Sequence, residues 1–378
     1  MDNMNIKNHK FIVFAIDHYN PLGAVRSLGQ LGINPVVIAV KHTADLAVKS
    51  KYASVCHKVA SVEEGYEILM SQYGQEDVKP FLITCDDKTT GYLDEQYNEL
   101  KDKFICFNAG EAGRITKFMD KKIILELAEK YGLKVLKSTV VEKDVVPEGL
   151  DYPIITKSIS PNVGGWKSDV HICKSEEELI EAYKTIESPE VLIQKYIEKK
   201  NEYCLDGFTS NKGKNFFVGI ASEYKYLIPG YYSPYYEVFN FDDVQLNKAL
   251  SGMMEEIGFE GIFSIEFLID QDGTKYFTEI NFRNSTWSYA STCAGMNLPE
   301  LWAKSMISGE IETDWKKDIE EGFTAMVEPI DYSKRVKAGT ISLFEWLADF
   351  KGANCTHYYV KEDLEPYYEM VRNIKRLS

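Results

Sequence analysis

The sequence predicts an α/β and α+β protein. A domain built on a doubly wound parallel sheet comes first, and two α+β lobes follow. Three observations carry this. Strand and helix patterns alternate through residues 1–115, as they do where crossover helices join parallel strands. Beyond residue 115 the texture changes to short strands with turn signals such as Ser210-Asn211-Lys212-Gly213. A length of 378 residues, 44% of them hydrophobic and 27% charged, fits two to three globular domains and excludes disorder as the main state.

The elements follow in order. Phe11–Ile16 is a continuous apolar run, the mark of a strand buried on both faces. Pro21–Gly32 reads as a helix with Leu22, Val25, Leu28 and Leu31 on one side and Gly32 as its stop. Further strands are expected at Pro35–Val40, Phe81–Cys85 and Phe104–Phe107, with helices at Val62–Tyr73 and Thr90–Leu100. No Gly-x-Gly and no Gly-x4-Gly-Lys-Ser/Thr occurs, so neither nucleotide fingerprint is present. Asp120 caps an amphipathic helix carrying Ile124, Leu127, Ala128 and Tyr131. Helical patterns at Leu343–Phe350 and Leu364–Leu377 form an appended element. The expected division is 1–115, 116–198, 199–330 and 331–378.

Composition narrows the function classes. A net charge of −15 repels phosphate backbones, so nucleic acid is not expected as a partner. Seven cysteines at wide spacings, with no Cys-x-x-Cys, read as reduced thiols. Six scattered histidines give no zinc spacing. The first ten residues are polar and Phe11–Ile16 is far too short to span a membrane. The expectation is a cytoplasmic protein acting on small molecules.

The strongest chemical signal is Gly261–Arg283. Ile262–Ile269 and Lys275–Phe282 are strand-like, and Asp272-Gly273 is a hairpin turn signal. With that turn centre, Glu266 lies directly opposite Glu279. Like charges so placed are destabilising unless something positive sits between them, and a one-residue bulge would break the pairing. Glu279, Asn281 and Arg283 share a face by the period of two. Two carboxylates and an amide oxygen form a hard-oxygen set suited to Mg²⁺. A solvated face of alternating polar residues is the other reading.

Two weaker signals precede it. Tyr152–Lys157 places Lys157 on a strand face with Ile155 and Ile159, and a Ser/Gly loop, Ser158–Lys167, follows. A lysine so placed calls for an anion, or else snorkels at an edge. Val191–Ile197 is an apolar strand running into a charged turn against which a flat base could lie. Six tyrosines, Tyr224, Tyr226, Tyr231, Tyr232, Tyr235 and Tyr236, read either as an aromatic loop over a substrate or, better, as strand residues packing a sheet.

Taken in order, these segments resemble the ATP-grasp superfamily. Its pattern is an Asp-Lys helix start, a Pro-Ile-Ile-x-Lys strand with a glycine loop, an adenine hinge and a Glu…Glu-x-Asn-x-Arg hairpin. The resemblance spans residues 10–310. Phe81-Leu-Ile-Thr-Cys-Asp86, Phe104-Ile-Cys106, and Glu279-Ile-Asn-Phe-Arg283 through Gly295-Met-Asn-Leu298 are similar to D-aspartate ligases. The resemblance implies a Rossmann-like domain before a two-lobed ATP-grasp fold. It also implies an ADP-forming carboxylate–amine ligase that works through an acyl phosphate, with an amino acid as one substrate.

The same resemblance assigns residues. Lys121 and Lys157 would bind nucleotide phosphates under Gly164 and Gly165. Gln194, Lys195, Tyr196 and Ile197 would hold adenine, with the Lys195 side chain near its ring. Glu202 would accept the ribose hydroxyls. Glu266, Glu279 and Asn281 would hold one or two Mg²⁺, or Mn²⁺. Arg283, with Lys157, would act on the substrate carboxylate and the acyl phosphate. Pro161-Asn162, Trp166 and Asn284-Ser285-Thr286-Trp287 depart from the family pattern, so the acceptor pocket is expected to differ. Alternatives are a carboxylase- or thiol-type acceptor, and an ATP-binding regulatory module without turnover. Residues 343–378 either cap the ATP lobe or associate with a second copy to form a homodimer.

Overall fold

The computed structural model describes residues 5–41, 44–161 and 166–377. The first sheet holds β1 (Phe11–Ile16), β2 (Val36–Val40), β3 (Val55–Val59), β4 (Phe81–Thr84) and β5 (Ile105–Cys106). All pair in parallel, in the order β3-β2-β1-β4-β5. Winding reverses between β1 and β4, and a crevice opens beyond the C-terminal ends of such strands.

β3 was not expected. Val-Cys-His-Lys-Val is largely exposed on a sheet edge, so it lacks the apolar run that marks its neighbours. Two helix expectations also shift. The helix expected from Thr90 begins at Asp87, because Asp86 accepts the Thr89 N–H at 2.7 Å and caps it there. It is also interrupted, as Asp87–Glu95 and Tyr97–Leu100. The helix after β1 runs Tyr19–Gly29 rather than from Pro21, which fits in its first turn.

The second sheet is antiparallel, with β6 (Ser138–Glu142), β7 (Ile154–Ser158), β8 (Ile172–Cys173) and β9 (Glu190–Lys195) in the order β6-β9-β7-β8. Ile154, Leu179, Tyr183, Val191 and Ile193 give it a small core of its own. The third sheet holds β10 (Asn201–Ser210), β11 (Asn215–Tyr224), β12 (Tyr235–Phe239), β13 (Gly261–Ile269), β14 (Lys275–Asn281), β15 (Thr324–Met326) and β16 (Cys355–Thr356). Its order is β14-β13-β10-β11-β12-β15-β16. One apolar core runs from the first sheet through to this one. Among the described residues no helix is long and apolar enough to cross a membrane.

The C-terminal stretch is bolted to both. β16 pairs with β15, and the buried Glu328 carboxylate accepts the backbone N–H groups of His357, Tyr358 and Tyr359. Arg26, fully buried in the first domain, donates to Asp363 at 2.8 Å and to the carbonyls of His357 and Tyr358. Asp363 also takes Ser50 Oγ and the Lys51 N–H, each at 2.8 Å.

Two predictions test this packing. Arg26→Ala leaves Asp363 as an uncompensated buried charge and should cost about 3–5 kcal/mol; an unchanged urea midpoint would contradict it. Asp206, in the middle of β10, is fully buried, and burial pushes its carboxyl from an ordinary 3.8 up to about 7, against hydrogen bonds from Ser285 and Ser288. The folded state therefore holds the proton more tightly than the unfolded one. That contribution is complete below the ordinary value and is lost as pH rises towards the folded one. Asp206→Asn should raise Tm more at about pH 8 than at about pH 5. Equal shifts at the two pH values would show that Asp206 does not titrate this way.

Candidate active site

The site grows from the β13–β14 hairpin. Glu266 and Glu279 are paired directly across the two strands, as the sequence predicts, but by a different route. The turn is not a two-residue one centred on Asp272-Gly273. It is a five-residue loop, Asp270–Thr274, in which the Asp270 carboxylate accepts the N–H groups of Asp272 (3.2 Å) and Thr274 (2.9 Å). Pairing next to the loop is therefore one residue out of the expected register, with Ile269 opposite Lys275. A bulge at Thr278 restores it, and Thr278 Oγ1 donates to the Glu266 carbonyl at 2.8 Å. The bulge, expected to break the opposition of the two glutamates, is what creates it.

The two carboxylates differ. Glu266 is pushed up to about 8 by burial and by the neighbouring Glu279 and Glu202 charges. Glu279 is held below the usual carboxylate range, chiefly by the Lys121 ammonium, whose Nζ lies 3.3 Å from Oε2. Lys121 opens the helix Lys121–Lys130, which Asp120 caps through the N–H groups of Lys122 (2.8 Å) and Ile123 (3.1 Å). Asn281 Nδ2 donates to Glu266 at 2.8 Å, and its Oδ1 accepts from Arg283 Nη2 at 3.0 Å.

The second sheet supplies the opposite wall. Lys157 projects from β7 and donates to Gln194 Oε1 on β9 at 3.0 Å. Burial draws its ammonium below the ordinary lysine value, while Glu279 pulls the other way. Lys121, Lys157, Glu202, Glu266 and Glu279 line one cleft of about 260 Å³, with Ser158 and Thr278. Glu202 is ion-paired to Lys199 at the start of β10.

Not every expected residue lies in that cleft. The Lys195 Nζ pairs with Asp151 Oδ2 at 2.9 Å and with the Asp151 carbonyl at 3.1 Å, and Lys195 lines a neighbouring pocket with Gln194, Ile154 and Leu150. The backbone N–H groups of Lys195 and Tyr196 are bonded to the Lys137 and Pro153 carbonyls, because β9 is an inner strand. Of the expected hinge, Ile197 is the residue that follows these sheet bonds. Gly164 and Gly165 lie outside the described residues.

The first domain adds residues that pattern reading missed. Asp87, at the start of the helix after β4, meets Arg283 Nε at 3.1 Å through Oδ1. Asn284, next along the chain, donates to Asn20 Oδ1 at 2.7 Å, and its N–H reaches the Thr84 carbonyl at 3.0 Å. These bonds hold the end of the hairpin against the C-terminal ends of β1 and β4. An acidic pair directly after a buried parallel strand was the available signal for Asp87. The tyrosines split between the two readings. Tyr224, Tyr235 and Tyr236 lie on strands, while Tyr226, Tyr231 and Tyr232 lie on the loop between them. Tyr232 bonds the Tyr19 hydroxyl at 2.6 Å and stands edge-on to Trp287.

Among the described residues no three His, Cys, Asp or Glu side chains cluster as a metal site. The donor set here is two glutamates and an asparagine. The two opposed carboxylates supply hard oxygens that fit a divalent ion, while Asn281 turns its amide nitrogen to Glu266 and its oxygen to Arg283.

No protein-family model matches the chain. N5-carboxyaminoimidazole ribonucleotide synthase of Staphylococcus aureus (strain COL) is 26% identical over 244 residues, covering 60% of this chain. The chain spans 59% of that relative's length. An L-amino acid ligase from Bacillus licheniformis superposes with a TM-score of 0.61 at 15% identity, over 80% of this chain and 77% of that one. The biotin carboxylase domain of Hydrogenobacter thermophilus 2-oxoglutarate carboxylase, a dimer solved with MgADP and bicarbonate, gives 0.62 at 18%, over 83% and 73%. The mixed parallel and antiparallel architecture and these likenesses agree: the chain has the ATP-grasp fold.

Proposed function

We propose that this protein is an ATP-dependent, ADP-forming carboxylate–amine ligase. The observation that carries the reading is the direct opposition of Glu266 and Glu279 in a cleft shared with Lys121 and Lys157, with Arg283 held next to it by Asn281. Lys121 from a helix, Lys157 from the second sheet and Glu202, Glu266 and Glu279 from the third converge on one cleft, and Arg283 stands next to it on Asn281. This is a site for anions and a divalent ion together.

The proposed roles combine the family resemblance with the cleft. Lys121 and Lys157 meet the nucleotide phosphates. Gln194, which anchors Lys157, and Ile197 border the nucleotide, and Glu202 takes its ribose. Glu266, Glu279 and Asn281 hold one or two Mg²⁺. Bound there, the ion would supply positive charge to offset that of the phosphates. Arg283 grips the carboxylate of the acid substrate, then the acyl phosphate formed when the γ-phosphoryl group passes to it. An amine, as its free base, then attacks the acyl carbon, the acyl C–O bond breaks, and phosphate leaves with the proton that the nitrogen sheds. The residues contribute position and charge rather than a covalent intermediate.

The similarity to an L-amino acid ligase supports an amino acid as one substrate. The relative named for a carboxyamino product keeps bicarbonate among the acids to be tried. The neighbour solved with MgADP also supports an adenine nucleotide and Mg²⁺ as the working ligands.

Glu279→Gln keeps the shape of the side chain and removes a metal ligand. In a screen of MgATP with amino acids, small carboxylic acids and bicarbonate, with hydroxylamine to trap acyl phosphates, wild type should release phosphate and form a hydroxamate with one acid. Glu279→Gln should lose this activity by a factor of about 100 or more, with an unchanged circular-dichroism spectrum. Full activity in the variant would sink the metal assignment.

A further inference from the structure

Asp86 and Asp87 follow β4 directly, at the switch point of the parallel sheet. In sequence they look equivalent; in the structure they are not. Asp86 is committed to its own surroundings. It accepts the N–H of Ile16 at 2.8 Å, the N–H of Thr89 at 2.7 Å and Thr89 Oγ1 at 2.8 Å. Asp87 turns away from that network and meets Arg283 across the boundary between the first domain and the third sheet. Both partners keep solvent access, 27% for Asp87 and 18% for Arg283. A ligand can therefore reach the pair.

The pair needs a reason. Arg283 does not require a carboxylate to stay charged. Its Nη2 is already oriented by Asn281. A carboxylate next to the group that holds an acyl phosphate would repel that anion, and like charges so placed cost several kcal/mol at an interface. The repulsion disappears if a cation arrives with the second substrate. In amide formation that cation is the ammonium form of the amine.

We propose that Asp87 receives the ammonium group of the amine substrate, and that the Asp87–Arg283 ion pair stands in for the two substrates' own charges. This rests on the ligase reading above. Binding then exchanges one internal pair for two external ones: acid on Arg283, amine on Asp87. Attack needs the free amine, so the ammonium first gives one proton to the Asp87 carboxylate that holds it, and the two reacting groups are left side by side at the mouth of the crevice beyond β1 and β4. The amine substrate is accordingly one that is protonated at neutral pH, an amino acid or alkylamine, and not an amide or an alcohol.

The test uses the full-length protein with Asp87→Asn and Asp87→Glu. The acid is the one that yields a hydroxamate with wild type. The nucleophiles are a panel of amino acids and methylamine, which are ammonium ions at neutral pH, and hydroxylamine, which is largely uncharged. Asp87→Asn should raise KM for the ammonium nucleophile roughly 10- to 100-fold more than it changes KM for hydroxylamine. Asp87→Glu should recover part of that difference. An equal loss with both nucleophiles would mean that Asp87 only orients Arg283, and would overturn the assignment. So would an unaltered amine KM. In both cases the wild-type hydroxamate leaves the ligase reading standing. A wild type that forms no hydroxamate and releases no phosphate with any acid refutes both.

Discussion

The rest of the site depends on two carboxylates facing each other across a half-buried strand pair. Glu266 and Glu279 sit on directly paired positions of β13 and β14. Positions so paired have Cβ atoms about 5 Å apart, and like charges there are destabilising. The fold answers this in two ways. Glu266 keeps its proton to higher pH and accepts a bond from Asn281. Glu279 stays ionised against Lys121. A divalent ion is the ligand that would relieve the conflict most completely, which is why the arrangement reads as a site and not as packing.

Keeping that hairpin in place takes the whole molecule. Asn20, Thr84 and Asn284 tie the end of β14 to the first sheet. On the far side, the C-terminal stretch joins the same two bodies through Arg26, Asp363 and Glu328. The Asp87–Arg283 contact lies on that fixed boundary, so its geometry is set by packing on either side of it. The second sheet, with a small core of its own, carries Lys157 to the opposite wall.

Much of this was legible in the sequence, for physical reasons that differ by element. β1, β2 and β4 are buried on both faces and appear as plain apolar runs. β3 is an exposed edge strand and leaves no such trace. The hairpin chemistry was readable because strand period puts Glu279, Asn281 and Arg283 on one face whatever the turn. The opposition of Glu266 and Glu279 was reached through two departures that cancel, a longer loop and a bulge, neither of which the residue pattern encodes. The Lys195–Asp151 pair was not legible because Asp151 lies on a different strand connection. Arg26–Asp363 and Arg283–Asp87 join residues far apart in the chain, and pattern reading reaches only neighbours.

The central claim is that a divalent ion sits between Glu266 and Glu279 with nucleotide bound. The most direct measurement is a crystal structure with Mn²⁺ and a non-hydrolysable ATP analogue, collected at a wavelength where manganese scatters anomalously. The account predicts an anomalous peak within bonding distance of both carboxylates, with Lys121 and Lys157 on the phosphates. A peak elsewhere, or none, with the Glu266–Asn281 and Glu279–Lys121 contacts intact beside bound nucleotide, would contradict it.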